Sequence, residues 1–253
     1  MGFNERKSSV NILAIETTGI TGSVAFLPES GSPLSRCLPQ DTRSAESLLP
    51  AIEHLLADGQ IDRGRIDRIA VAVGPGSFTG LRVGVTCANI LAWGLSRSGK
   101  KVDLVGVDTL QALALSAAGQ SIQNAPDGFV VSVGLDAQRR EVTAREFLIA
   151  SGSALPLESG FRLIGAEKWL AAPKQRRIPD GRTFPLFFLG KAPARRPELD
   201  ERFLPFPQAP LAAMVAKIGR DLSPSPTALR PVYSRLSAAE EKLAQKSAQS
   251  QPK

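Results

Sequence analysis

Between residues 71 and 95 the sequence reads VAVGPGSFTGLRVGVTCANILAWGL, and Arg82 is its only charged side chain. The segment opens as an apolar strand, breaks on Gly74, Pro75 and Gly76, and then runs apolar for about five helical turns. A helix on a protein surface carries a polar side. This one hardly has one, so it needs cover on more than one face. Ser77 is a good N-cap for a helix starting at Phe78. Gly80, Gly84, Ala88 and Ala92 recur every four residues and form one slowly drifting ridge. A ridge without bulk lets another helix approach closely. Val83, Cys87, Leu91 and Leu95 make a bulkier row, and Leu81 and Val85 another. One face is expected to cover the chain's own sheet. The cover for the other is either a helix expected at 44–58 or a second protein chain.

The rest of the first half fits that arrangement. VNILAIETTGITGSVAFL reads as strand, polar turn and strand, and SPLSRCLPQD as a weaker strand or a loop. SAESLLPAIEHLLADG has a helical pattern, with Leu48, Leu49, Ile52, Leu55 and Leu56 on one side. Gly59 is its expected C-cap, and Pro50 marks a first-turn position or a kink. IDRIAVAVG and KVDLVGV are strands. DTLQALALSAAG is a helix capped by Asp108, with Gln111 completing a capping box.

The second half restarts. GFVVSVGLDAQRREVTAREFLI repeats strand, acid, polar turn and strand, with Asp136 where the first hairpin has Glu16. This is a weak internal repeat of the kind duplicated domains leave. FRLIGAEKWLAA is a strand and a short helix. Residues 173–210 are rich in Pro and Arg, with one strand at PLFFLG. APLAAMVAKIGRDL is a helix and ALRPVYSRL an extended segment. The expected organisation is a flexible lead at 1–9, a first subdomain at 10–110 and a smaller second one at 111–210. A helix and extended segment at 211–236 pack back, ending at Leu236, and a polar tail fills 237–253.

A chain of 253 residues, 43% hydrophobic, can bury a substantial core. A net charge of +7 permits an acidic partner such as RNA. However, the basic groups Arg97/Lys100/Lys101, Arg139/Arg140, Lys174/Arg176/Arg177 and Arg195/Arg196 are scattered, with few aromatics between them. Cys37 and Cys87 lack metal-ligand spacing and read as free thiols of a reducing compartment. His54, the single histidine, cannot form a histidine-pair metal site and is expected to be solvated or partly packed. No secretory signal is apparent. The run at 83–95 is too short to span a bilayer, so a soluble cytoplasmic protein is expected.

Two loops carry candidate chemistry. Glu16, Thr17 and Thr18 form a turn like those that hold phosphates and magnesium in the actin, sugar-kinase and Hsp70 superfamily. Gly74, Gly76 and Ser77 precede a helix N-terminus, which favours an anion, but no Walker-type lysine follows. Asp136 is the matching acid of the second hairpin. The bland alternative is two structural corners. Arg82 can reach a phosphate or brace a local carbonyl or carboxylate.

ILAIETTGITGSVAFL, AVAVGPGSFTGLRVGVTCANILAWGL, VGVDTLQALA, GLDAQRREV and LRPVYSRL occur in the order and spacing of the TsaB (YeaZ-type) family, which the chain resembles from about residue 11 to 236. The resemblance is strong to residue 148 and thin between 150 and 205, and GPGSFTGLR is its most specific block. It implies a duplicated actin-like (ASKHA), ribonuclease-H-type α/β fold in the Gcp-like superfamily, with two subdomains, each a mixed sheet flanked by helices. It implies a non-catalytic scaffold that helps a TsaD-type subunit install threonylcarbamoyl on adenosine 37 of tRNA. A TsaE-type ATPase is a further partner, the chain alone forms a homodimer, and tRNA is met only through the complex. The family's interface is built by its first two helices. On this chain that places it at Leu48, Ile52, Leu55, Gly80, Val83, Gly84, Cys87, Ala88 and Leu91. Catalytic relatives carry a His-x-x-x-His pair where this sequence reads VGVDTLQALA, so no metal site is expected; no cofactor is expected either, with ATP and magnesium at a vestigial phosphate site as the alternative. Glu16 stands where the family more often has Asp. The alternatives are an ATP/Mg-dependent kinase or acyl-transfer enzyme using Glu16, Thr17 and Asp136, and a basic RNA-binding module.

Overall fold

The computed structural model describes residues 10–19, 21–40, 44–97, 99–118, 125, 127–190, 201–207 and 210–235. The expected lead at 1–9, the tail at 237–253, and Leu236, Arg195 and Arg196 lie outside the described residues.

The first sheet comprises β1 (Ile12–Glu16), β2 (Ser23–Leu27), β3 (Leu34–Cys37), β4 (Arg68–Gly74) and β5 (Asp103–Asp108), in the order β3-β2-β1-β4-β5. β1, β2 and β3 form an antiparallel meander, while β4 and β5 run parallel to β1. Every residue of β1 and β2 is buried, because helices cover both sides of the sheet. Leu13, Ile15 and Val24 face α1 (Ser44–Asp58) and α2 (Phe78–Ser96). Ile12, Ala14 and Ala25 face α5 (Ala212–Asp221), whose alanines let it sit close. Arg68 of β4 donates through one guanidinium nitrogen to the carbonyls of Gly219, Arg220 and Leu222 at 2.8–2.9 Å. This satisfies the open C-terminal end of α5 with a cation.

The second sheet follows the same plan. β6 (Phe129–Asp136) and β7 (Glu141–Ala150) form the hairpin, and β8 (Ser153–Pro156) pairs with β7. β11 (Thr183–Gly190) runs parallel to β6, as β4 does to β1. The plan departs at the edge. There β10 (Gln175–Arg177) is antiparallel to β11, whereas β5 is parallel to β4, and β9 (Arg162–Gly165) adds to β7. α3 (Thr109–Ala117) packs Leu110 and Leu113 against Val131, Val133 and Phe147. On the other face α4 (Ala166–Leu170) seats Trp169 among Val142, Ala144 and Phe188.

Several expectations need correction. The 173–210 stretch contains β10 as well as β11, and β8 was not foreseen, because short edge strands carry little periodicity. The 110/111 boundary cuts α3, which packs Leu110, Leu113 and Ala114 into the second core and Ala112 into the first. Gln111 does not close a capping box; its amide donates to the Ala154 carbonyl at 3.1 Å. Gln60, with φ +52°, takes the left-handed position after α1 that Gly59 was expected to fill. Pro50 lies inside α1, past its first turn. Finally, α2 is long and apolar enough to cross a membrane by length and composition alone, contrary to the reading of 83–95 as too short. One face of it nevertheless packs on the first sheet.

The ridge of α2 is also corrected. Its Gly80 and Gly84 end receives the turn after β1, while Ala88 and Ala92 share a core with the α1 side chains Leu48, Ile52 and Leu55. A Cβ on Gly80 would overlap the Thr17 carbonyl oxygen, and one on Gly84 would overlap the Thr17 hydroxyl. That hydroxyl donates to the Gly80 carbonyl at 2.7 Å. Gly80→Ala should therefore cost about 2–4 kcal/mol. Gly94→Ala, on an exposed part of the same helix with nothing near the added carbon, should stabilise by up to about 1 kcal/mol. Urea denaturation of both variants checks this pair of opposite signs.

Candidate functional site

Glu16, Thr17, Thr18, Gly74, Gly76 and Ser77 come together where the turn after β1 meets the loop before α2. Glu16 and Thr17 are buried at 1% and 2% exposure. One carboxylate oxygen of Glu16 accepts from the Thr18 amide and the Thr18 hydroxyl, both at 2.5 Å, and from the Gly19 amide at 3.0 Å. Burial pushes the Glu16 carboxyl above its ordinary value of 4.5, and the hydrogen bonds from Thr18 and Gly19 oppose that shift.

The second loop fits against the first. The Ser77 amide donates to the Thr18 carbonyl at 3.0 Å, and the Ser77 hydroxyl accepts from the Gly80 amide at 3.3 Å as the expected N-cap. Gly76 lies so close that an added Cβ would stand 2.5 Å from the Thr18 Cβ. Gly74 has φ +126°, and the Val232 carbonyl fills the space a side chain would need. The amides and carboxylate suited to a phosphate and hydrated magnesium are therefore directed at each other. As arranged, this corner does not fit that group.

Asp136 does not join the corner. It lies at the exposed end of β6, where its carboxylate accepts from the Gln138 amide at 2.7 Å. Glu16 likewise accepts from the amide two residues on. The repeated acid thus has a local role in each hairpin, bracing its own turn. The second turn needs it: Gln138, Arg139 and Arg140 all have φ near +60°, the left-handed region.

The expected interface residues divide into two groups. Leu48, Ile52, Leu55, Gly80, Gly84 and Ala88 are buried within the chain's own first core or against Thr17. Val83, Cys87 and Leu91 are only partly buried, packed against that core. Burial pushes the Cys87 thiol up to about 11, which leaves little reactive thiolate at neutral pH. The large apolar side chains most open to solvent on these two helices are others: Ile90 at 59% and Trp93 at 64% on α2, and Leu49 at 52% on α1. Sequence reasoning placed none of them at the interface. The available signal was that Ile90 and Trp93 belong to neither the small ridge nor the bulky rows. The Arg97 guanidinium lies 5.0 Å from the Trp93 ring centre. Among the described residues Arg82 pairs with no carboxylate. It donates to the Tyr233 hydroxyl at 3.1 Å and stacks over Phe78. Several expected basic groups are paired, Lys100 with Asp67 and Arg176 with Glu146. His54 is exposed. Among the described residues, no group of three or more His, Cys, Asp or Glu is placed to hold a metal ion.

Residues 39–161 match the family model described as TsaD: tRNA N6-adenosine threonylcarbamoyltransferase. The tRNA threonylcarbamoyladenosine biosynthesis protein TsaB of Bacillus subtilis is 33% identical over 133 residues, covering 53% of each chain. The TsaB of Escherichia coli is 31% identical over 110 residues, 43% of this chain and 44% of that protein. These matches make the chain similar to TsaB/YeaZ proteins over about half of its length. It spans about half the length of the curated TsaB relatives it matches. The structure of YeaZ from Pseudomonas aeruginosa superposes with a TM-score of 0.62 at 23% identity, covering 83% of this chain and 90% of that one. The YeaZ likeness and the two helix-flanked mixed sheets give a duplicated actin-like α/β fold.

The buried Glu16 makes a pH prediction for this chain. A carboxyl whose folded pKa is raised holds its proton more tightly folded than unfolded. Its contribution to stability therefore falls as pH climbs from the unfolded value of 4.5 through the higher folded value. Glu16→Gln keeps an acceptor for Thr18 and Gly19 and removes the titration. Thermal melts between mildly acidic and neutral pH should show less loss of stability with rising pH in the variant than in the parent.

Proposed function

We propose that this chain is a scaffold subunit in the installation of threonylcarbamoyl on adenosine 37 of tRNA. In this reading it activates a TsaD-type catalytic subunit, works with a TsaE-type ATPase, and meets tRNA through the complex in the cytoplasm. It pairs with a copy of itself when alone. The names of its relatives support the pathway. The observation that carries the scaffold reading is the outward side of α2, where Ile90 and Trp93 stand exposed on a helix whose ridge is already occupied by Thr17. In this proposal the chain needs no metal or nucleotide of its own, and Glu16 serves its turn instead of chemistry.

The test is a reconstituted reaction with purified TsaD-type and TsaE-type subunits, threonylcarbamoyl-adenylate and tRNA. Omitting this chain should abolish most of the modification, while this chain alone should yield none. A full rate without it would refute the proposal. Calorimetry of the isolated chain with ATP and magnesium should give no binding heat; a saturating isotherm would favour the kinase or acyl-transfer alternative.

The surface makes a separate prediction. Trp93→Asp and Ile90→Asp should weaken association with the TsaD-type partner about tenfold or more, since an exposed apolar anchor is lost at roughly 1.4 kcal/mol or above. The melting temperature should barely move, because neither side chain is in the core. Gly84→Arg would not test the interface, since its side chain would collide with Thr17 inside the fold.

A further inference from the structure

The segment after α5 runs back over the first sheet and reaches the second. The Ser225 amide donates to the Leu104 carbonyl of β5 at 2.7 Å. Leu229 forms a reciprocal pair with Asn89 of α2. Its amide donates to the Asn89 side-chain oxygen at 2.9 Å, and its carbonyl accepts from the Asn89 side-chain amide at 3.0 Å. The Val232 amide donates to the Val73 carbonyl of β4 at 2.7 Å. Tyr233 packs on Phe78, with ring centres 4.6 Å apart, and its hydroxyl accepts from Arg82. Arg235 then leaves the first sheet and pairs with Glu141 at the start of β7.

Glu141 is one of two ionic ties on the same face of β7. Four residues along, Arg145 pairs with Asp108 at the end of β5 and donates to the Glu158 carbonyl. Alternation along a strand puts residues 141, 143 and 145 on one face. Thr143 sits between the two ties, buried, with no hydrogen-bond partner for its hydroxyl. The two sheets otherwise share a spine of α3 against α5, with Leu211 packed on both cores. Two bodies joined along a spine need contacts away from it to fix the angle between them.

We propose that residues 223–235 are a latch that sets the angle between the two sheets. Its anchor is the seat of Leu229, Val232 and Tyr233 on β4 and α2, and its catch is the Arg235–Glu141 pair. The two ends differ in kind. The anchor is backbone pairing and aromatic packing. The catch is a single ion pair whose side chains are 21% and 35% exposed, so it is the part that opens first and responds to salt. Opening it leaves the spine and the more buried Arg145–Asp108 tie alone to hold the second sheet, which widens the range of angles while the strap stays on α2.

The test is a distance measurement by double electron–electron resonance on the full chain. Spin labels go on the exposed native Cys37 and on Arg177→Cys, in a Cys87→Ala background diluted with unlabelled chain. The parent should give one narrow distribution. Arg235→Ala and Glu141→Ala should each shift and broaden it, and the charge-reversed pair Arg235→Glu with Glu141→Arg should restore it. A distribution unchanged in Arg235→Ala overturns the latch. Should the variants unfold, hydrogen exchange on the unmodified chain decides. Raising salt should speed exchange at the β6–β7 turn beside Glu141 while the Val232 amide, bonded to Val73, stays protected; an unchanged turn, or a Val232 amide that loosens with it, overturns the proposal.

Discussion

The contact between Thr17 and the first turns of α2 organises this molecule. The hydroxyl of Thr17 donates to the Gly80 carbonyl, and its backbone occupies the space left by Gly80 and Gly84. That approach seats α2 on the first sheet at its N-terminal end. It also presses the loop at Gly74 and Gly76 against the turn at Thr18. Close packing leaves no room for a compensating shift. The helix, the hairpin turn and the glycine loop are consequently one rigid unit, and the strap that carries Val232 closes over its back.

The same contact decides the chemistry of the corner. A turn with an acid and hydroxyls, facing a glycine loop at a helix N-terminus, holds the parts of an anion site. Here the parts answer each other. Glu16 takes the turn's amides, and the amide of Ser77 goes to the Thr18 carbonyl. A carboxylate buried this deeply costs stability unless it is hydrogen-bonded, and the three donors from Thr18 and Gly19 offset that cost. On the outer side of α2, Ile90 and Trp93 stand exposed to solvent.

Much of this was legible in the sequence. Long apolar runs flanked by turn residues fixed the hairpins, the 44–58 helix and the 78–96 helix, since burial on both faces leaves a strong pattern. The repeated strand, acid, turn and strand marked the duplication, and the second sheet repeats the hairpin and its parallel neighbour. Ser77 and Asp108 were readable as caps because their chemistry is local. The short strands β8 and β10 were not readable, because their pairing partners, not their own residues, make them strands.

The residues of the ridge show the limit most clearly. Four-residue spacing of Gly80, Gly84, Ala88 and Ala92 established that something approaches α2 closely. Only the tertiary structure decided that the visitor at Gly80 and Gly84 is Thr17 of the same chain, because spacing records how much room is left and not who fills it. The sequence also determined that α2 is too apolar to be covered on one side alone. Which side chains stay outside was decided by the crossing of α2 over β4 and by the strap from the far end of the chain. Val83 and Ile90, seven residues apart, lie within about 20° of each other around the helix, so what packs opposite each along the axis leaves Val83 and Cys87 partly buried and Ile90 and Trp93 in the solvent.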